Sequence, residues 1–336
     1  MIRLILIAFA FVSTSILSAH GQSQEVYTIR GIAVDERAPT VAEAQQKAFA
    51  TAKLIGAQRL IERLTLPEDR AAATDLIIDQ VLADRIAAAV DVEEEVAGAG
   101  RYRGSLAVVY NPSQLRLALT QVGLPFTDST GPKAVLFTTT SNGMDFAWNR
   151  AWGEPPKESL VPLLVSGASG YRPDTDWQIL TDEISLYGAQ RAMFANLRGG
   201  QGGYLVDLVS VTASGPRTIG TTRRAPTLDS AVAAVAELLN EDWKRTSIVR
   251  DTTRTLIEAT VRYTSLTEWN TLRGALVQSP LVSNFQTRAI STDGAFIAFA
   301  FAGDGQRLTS DLRDRGVVIN AEEIGWVMTS AISGGQ

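Results

Sequence analysis

The chain contains no cysteine among its 336 residues, so no disulfide and no thiolate-held metal can stabilise its fold. Stability must instead come from buried apolar side chains, and 45% hydrophobic with 20% charged residues suits two or three packed domains. The single histidine, His20, lies at the end of an apolar N-terminal segment. Without that segment the chain has neither imidazole nor thiol, which excludes histidine triads, cysteine nucleophiles and zinc sites built on either residue.

The first 21 residues have the three parts of a secretory signal peptide. Arg3 supplies the positive charge, Leu4–Leu17 the apolar core, and Ala19–Gly21 the small residues before a cleavage site. We expect cleavage after Gly21 and secretion across the cytoplasmic membrane, into the periplasm if the cell is Gram-negative. The apolar segment is short for a membrane span and no later segment approaches one, so we expect no transmembrane segment in the mature chain.

Residues 22–126 are predicted to form a small N-terminal α+β domain. Thr40 and Glu43 have the spacing of a helix capping box, and Asn111 followed by Pro112 is a second helix start. The predicted elements are a strand over Val26–Val34, helices over Val41–Leu64 and Thr74–Val90, a strand over Tyr102–Tyr110 and a helix from Pro112 to Gly123.

Residues 131–246 are predicted to form a central α/β domain, because short buried strands alternate with amphipathic helices. Polar stretches at Thr127–Pro132 and Ser247–Arg254 are predicted linkers on either side. The predicted elements are strands over Ala134–Thr139 and Leu160–Val165, a helix over Ile184–Leu197, a strand over Tyr204–Val211 and a helix over Leu228–Trp243.

Residues 255–326 are predicted to form a C-terminal domain with the element order β-α-β-β-α-β. That order is the ferredoxin-like arrangement. The predicted elements are a strand over Thr255–Tyr263, a helix with the stripe Leu266 to Leu276, strands over Leu281–Ile290 and Phe296–Phe301, a helix over Gln306–Arg315 and a strand over Val317–Ile319.

Several short stretches along the chain point to one family. They are Arg59–Thr65, Val108–Pro112, Val122–Phe126, Trp148–Trp152, Leu160–Val165 and Tyr263–Phe301. Together they resemble the secreted proteobacterial domain-of-unknown-function family 2066. The resemblance implies a Gram-negative envelope protein, and because that family has no assigned chemistry it supplies no site residue.

Two groups of residues are candidate binding positions. Arg217, Arg223 and Arg224 form a local basic patch in a chain of net charge −5, and suit a lipid phosphate, lipopolysaccharide or an acidic partner. The alternative is that they are solvated arginines on a sheet edge. Trp148 and Trp152 lie one helical turn apart and can stack on a sugar ring, or else belong to the core or an interface.

Two acidic clusters provide weaker alternatives. Asp91 with Glu93–Glu95 offers oxygen ligands for Ca²⁺ or Mg²⁺, but lacks the alternating spacing of a calcium loop and reads as a solvated edge. Asp174, Asp176 and Asp182–Glu183 can in principle supply a glycosidase carboxylate pair, but a turn and a helix N-cap are the favoured explanation. Ser169 misses the nucleophile-elbow spacing by one residue.

These observations favour a non-enzymatic, secreted, envelope-associated interaction or accessory protein. We expect an envelope protein or wall component as its partner, no nucleic acid partner, no cofactor, no catalytic residues and no metal ligands. The alternative is a carboxylate-dependent hydrolase of wall sugars, or an oxygen-ligand metal- or solute-binding protein.

Overall fold

The computed structural model describes residues 25–141, 143–153, 159–251, 253–322 and 325–331. The predicted signal peptide, Met1–Gly21, lies outside these residues. In the described ranges the chain is a mixed α/β protein with three β-sheets and nine helices. None of the helices there has the length and apolarity that a membrane crossing requires.

The first sheet has three antiparallel strands in the order β1-β3-β2, and helix α1 packs against it. Thr40 caps α1 by accepting a hydrogen bond from the amide of Glu43 at 3.2 Å. The first elements are β1 (Thr28–Arg37), α1 (Val41–Leu64), α2 (Pro67–Ala72), α3 (Gln80–Ile86), β2 (Ala87–Gly98), β3 (Arg101–Tyr110) and α4 (Pro112–Gln121).

The predicted helix Thr74–Val90 is wrong at both ends, because the helix observed there begins only at Gln80. Helix α3 ends at Ile86 and strand β2 begins at Ala87, which lies opposite Tyr110 of β3. Three consecutive alanines have high helix propensity, but pairing with a distant strand overrides that local preference. The acidic run Asp91–Glu95 therefore lies on an exposed edge strand.

Gly56, in the middle of α1, allows the helix to approach Tyr110. A Cβ added at Gly56 would lie 2.2 Å from the Tyr110 hydroxyl oxygen. That hydroxyl is held in place because it donates a hydrogen bond to the Lys53 carbonyl at 2.7 Å. Packing rather than helix propensity therefore sets the residue size at this position.

Gly56→Ala is expected to lower the free energy of unfolding by about 1–3 kcal/mol, the usual cost of overpacking. In an exposed helix the same change would be favourable by about 1 kcal/mol. Tyr110→Phe removes the obstructing oxygen, so the double variant is expected to be more stable than the sum of the single changes. Urea denaturation of the four proteins measures this coupling. Additive effects would show that the hydroxyl does not limit residue 56.

The second sheet has the strand order β5-β4-β6-β7-β8, in which β4 runs parallel to both β5 and β6. Strands β7 and β8 continue it as antiparallel hairpins. Its elements are β4 (Ala134–Thr140), α5 (Asp145–Ala151), β5 (Leu163–Val165), α6 (Trp177–Ser185), β6 (Arg191–Gly200), β7 (Gly203–Thr212), β8 (Gly215–Thr221) and α7 (Leu228–Ser247).

The predicted helix Ile184–Leu197 is wrong. Helix α6 ends at Ser185, and the apolar residues that follow form β6, an inner strand of the second sheet. Ala192–Ala195 are all buried because helices cover both faces of this strand. A continuous apolar run of this kind does not distinguish a doubly covered strand from a buried helix.

The third sheet has the strand order β10-β11-β9-β13-β12. Strand β13, which is not among the predicted elements, pairs in parallel with β9 and separates it from β12. Its elements are β9 (Arg254–Arg262), α8 (Leu266–Gln278), β10 (Val282–Ile290), β11 (Gly294–Ala302), α9 (Gly305–Asp314), β12 (Val317–Glu322) and β13 (Gly325–Ser330).

The segment Thr127–Pro132 is packed between the first two sheets. The Thr127 amide donates to the Leu64 carbonyl at 3.0 Å, and the Trp243 Nε1 donates to the Ser129 carbonyl at 2.7 Å. One apolar core runs without a break from the first sheet to α7, whereas the third sheet has a core of its own.

Candidate functional site

The order in which strands are added to the second sheet reverses at strand β4. The chain leaves β4 through α5 to reach β5 on one side, then passes through α6 to reach β6 on the other side. Open α/β sheets bind ligands at the carboxyl ends of strands where connections diverge in this way. A crevice of about 730 Å³ opens at this point, within the size range of small-molecule sites.

The floor of the crevice is apolar. Phe137, Phe194 and Val209 lie side by side on β4, β6 and β7, and point to one face of the sheet. The two phenylalanine rings stack with centroids 5.2 Å apart, and the ring of Tyr171 meets Phe137 edge-on at 5.0 Å. Tyr171 belongs to the loop after β5, so this loop forms one wall.

A row of polar side chains lies two residues further along the same strands, nearer to their carboxyl ends. Thr139 and Ser141 donate hydrogen bonds of 3.3 Å to the Asn196 Oδ1, and the Asn196 Nδ2 donates to Ser141 at 3.2 Å. The Thr140 hydroxyl, which also lines the crevice, is buried and has no hydrogen-bond partner among the described residues. This rim therefore offers neutral hydroxyl and amide groups to a ligand.

Asp207 lies opposite Asn196 on β7, and its carboxylate already has hydrogen-bond partners within the chain. It accepts hydrogen bonds from the Arg198 Nη2 and the Thr221 hydroxyl, both at 2.6 Å. Burial opposes ionisation, but these two donors outweigh it and hold the pKa of Asp207 below its usual range. Asp207 is therefore a carboxylate near neutral pH and does not act as a proton donor.

Metal ligation has no obvious place in the described part of the chain. No three Asp, Glu, His or Cys side chains come together there in a way that suits a metal ion. At the crevice, Asp145 lies exposed in the first turn of α5, and Asp207 is held by Arg198.

The structure places Trp148 and Trp152 inside the core rather than at the crevice. Both side chains are buried, with ring centroids 5.4 Å apart, and the Trp148 Nε1 donates to the Ala195 carbonyl at 3.1 Å. Neither ring presents a face to a sugar. Their helical spacing thus serves packing between α5, α7 and the sheet.

The three arginines of the basic patch are each bound within the chain. Arg217 makes a bidentate pair with Asp242 at 2.9 and 2.8 Å, and Arg223 binds Glu237 at 2.5 Å, both on helix α7. Arg224 donates to two backbone carbonyls of the β6–β7 turn. Because α7 supplies two carboxylates, the patch carries little free positive charge for an anionic partner.

Three of the acidic candidates, Asp176, Glu183 and Glu93, accept local hydrogen bonds. Asp176 caps α6 by accepting from the Gln178 amide at 2.8 Å, so Asp182 lies inside that helix instead of at its start. Glu183 accepts from the Ser166 hydroxyl at 2.8 Å. Glu93 accepts from the Ser105 hydroxyl at 3.0 Å.

The sequence reasoning did not single out Asn196 or Asp207. Asn196 falls in the segment that was predicted to be a helix, so its contact with Thr139 could not be foreseen. The three threonines that end β4, Thr138–Thr140, were the available signal, because polar residues directly after a buried strand often line a site. Ser169 does line the crevice, on its exposed loop.

Comparison with known proteins shows no relative at the level of sequence. No protein-family model matches the chain, and no curated protein matches it. Among solved structures, TolB from Acinetobacter baumannii is similar at 10% sequence identity, with a TM-score of 0.22. That match covers 40% of this chain and spans 32% of the TolB chain.

Proposed function

We propose that this protein is a non-enzymatic binding component of the cell envelope, and that the crevice binds an uncharged polar ligand or the uncharged polar group of a wall component. The observation that carries the proposal is the pairing of two rows on one sheet face. Phe137 and Phe194 are buried and support the half-buried Tyr171, whose ring can contact a ring of the ligand, while Thr139 and Asn196 hydrogen-bond its substituents.

Binding is favoured over hydrolysis by the state of the crevice carboxylates. A glycosidase needs one protonated carboxyl to release the leaving oxygen and a second carboxylate opposite it. Asp207 and Asp145 both line the crevice, which keeps a carboxylate-dependent hydrolase as the second candidate. However, Arg198 holds the pKa of Asp207 low, so that residue cannot supply the proton.

The rest of the proposal comes from the sequence. We retain export through the signal peptide Met1–Gly21, periplasmic location in a Gram-negative cell, and membership of the secreted family 2066 as parts of it. The three-domain division and the ferredoxin-like character of residues 255–326 belong to the same proposal. The order β10-β11-β9 in the third sheet supports the latter, while β13 is an additional strand.

Asn196→Ala tests the crevice directly. We expect binding of neutral N-acetylated wall sugars, measured by titration calorimetry, to weaken about 10- to 100-fold, because removing one partner leaves Thr139 and Ser141 unpaired. Asn320→Ala is the matched control, since Asn320 is exposed on β12 in the third sheet and should leave affinity unchanged.

Two results would contradict the proposal. The first is absence of binding by the unaltered protein to every neutral sugar tested. The second is equal affinity of the Asn196→Ala and Asn320→Ala proteins for a sugar that does bind. An acidic sugar such as galacturonate is expected to bind more weakly, because Asp145 and Asp207 line the same crevice.

A further inference from the structure

A second cavity lies at the opposite edge of the same sheet. Its volume is about 330 Å³, and it opens where the amino ends of β4, β5 and β6 face helix α8 of the C-terminal region. Its polar lining includes two cations, Lys133 and Arg315, and three amides, Gln190, Asn270 and Gln278. No carboxylate of the described residues lines this cavity, in contrast to the crevice at the other edge.

Arg315 has an unmet hydrogen-bond donor although it is only 4% exposed. Its Nε donates to the Asp311 Oδ2 at 3.2 Å, and its guanidinium carbon lies 5.5 Å from the centre of the Trp243 ring. These contacts fix the plane of the guanidinium. The Nη2 is buried and has no hydrogen-bond partner among the described residues. Buried donors of a charged group are nearly always paired, so this atom can donate to an acceptor that enters the cavity lined by Arg315.

Lys133 supplies the second positive charge. It is half-buried directly before β4, and none of the described residues forms an ion pair with it. Asp311 balances part of the Arg315 charge, so Lys133 is the main source of positive potential in the cavity. This potential is screened less inside a cleft than on an open surface. Helix α8 presents its C-terminal half here, so the helix dipole does not favour an anion and the two side chains must provide the attraction.

We propose that this cavity binds a small oxyanion, either a free phosphate or the phosphate of a headgroup such as glycerol phosphate. The planar guanidinium of Arg315 matches two oxygens of such a group, and the Lys133 ammonium acts as a point charge beside it. The side-chain amides of Gln190, Asn270 and Gln278 can donate to the remaining oxygens. This site does not depend on the sugar-binding crevice, which opens at the other edge of the sheet.

Titration calorimetry with inorganic phosphate and with glycerol phosphate, at constant ionic strength in chloride, tests the site. We expect Lys133→Gln to weaken binding of whichever compound binds by at least about 10-fold, as expected for losing a charge-assisted contact. Lys47→Gln is the matched control, because Lys47 is exposed on α1 far along the chain from this cavity. A circular dichroism melt of each variant checks that the fold is retained.

The two compounds distinguish the sources of the phosphate. Binding of both shows a free-oxyanion site, and binding of glycerol phosphate alone shows that the headgroup is needed; either result supports the proposal. Binding of neither compound would overturn it. Equal weakening by Lys133→Gln and Lys47→Gln would also overturn it, because the effect would then be one of net charge.

Discussion

Replacing Trp243 by alanine is expected to lower the free energy of unfolding by about 3–5 kcal/mol, the range for large-to-small changes in a core. Trp243 is 5% exposed, and its Nε1 donates to the Ser129 carbonyl at 2.7 Å. Its ring also contacts Gly131, where an added Cβ would lie 3.3 Å from the indole. One side chain of α7 thus holds the segment between the first two sheets and packs under Arg315 of the C-terminal region.

Urea denaturation measures this prediction, with Trp326→Ala as the matched control. Trp326 is 37% exposed on β13, so its removal is expected to cost clearly less. If the two variants lose the same stability, the segment Thr127–Pro132 behaves as a free linker and the contacts of Trp243 contribute little. If the Trp243 variant unfolds in two steps while the Trp326 variant still unfolds in one, Trp243 is the residue that makes the regions it contacts unfold together.

Stability is also expected to rise with pH above 8 through Lys244, a buried residue of α7. Its ammonium donates to the Glu62 and Thr65 carbonyls at 3.0 and 2.8 Å. Burial, aided by the nearby charge of Arg70, lowers the pKa of Lys244 to about 8 from 10.5 in an exposed lysine. Between these values the unfolded chain binds more protons than the folded one, so raising the pH favours folding.

The expected gain from pH 7 to pH 9.5 is about 2 kcal/mol, at 1.36 kcal/mol per pKa unit. Lys244→Met keeps the length of the side chain and removes the charge, so this rise should vanish in the variant. Tyr27 and Tyr110 have the opposite effect on the free energy of unfolding. Burial raises the pKa of each phenol, so the stability that these residues contribute is lost as the pH rises above 10. The stabilities of the unaltered and Lys244→Met proteins are therefore compared by urea denaturation at pH values below 10. An identical pH profile in the two would contradict the prediction.

Local signals in the sequence were enough for most helices. Asn111 accepts hydrogen bonds from the Ser113 and Gln114 amides and thereby caps α4. Thr227 forms a capping box with Ser230 at the start of α7. These contacts depend on neighbouring residues only. The pattern of residues 112–123 and 228–243 therefore predicts both helices correctly.

The missed strands depend on partners far along the chain. Ala87–Val90 form a strand because β3 pairs with them, and Arg191–Gly200 form one because β4 lies alongside. Neither partner is visible in a window of ten residues. The crevice could not be predicted for the same reason. Thr139 and Asn196 are 57 residues apart and meet only through the register of β4 with β6. Conversely, the helical spacing of Trp148 and Trp152 leaves two interpretations, stacking on a sugar ring or packing in the core, and both side chains are buried in the core.

The crevice is expected to bind a sugar without cleaving it, and one measurement tests this most directly. The protein is incubated overnight with a neutral wall disaccharide, and the bound and free sugar are then recovered and identified by mass spectrometry. We expect about one sugar per chain, recovered intact, with binding reduced in the Asn196→Ala protein. Cleaved sugar in molar excess over protein, formed by the unaltered chain but not by Asp145→Asn or Asp207→Asn, would show a hydrolase and contradict the account.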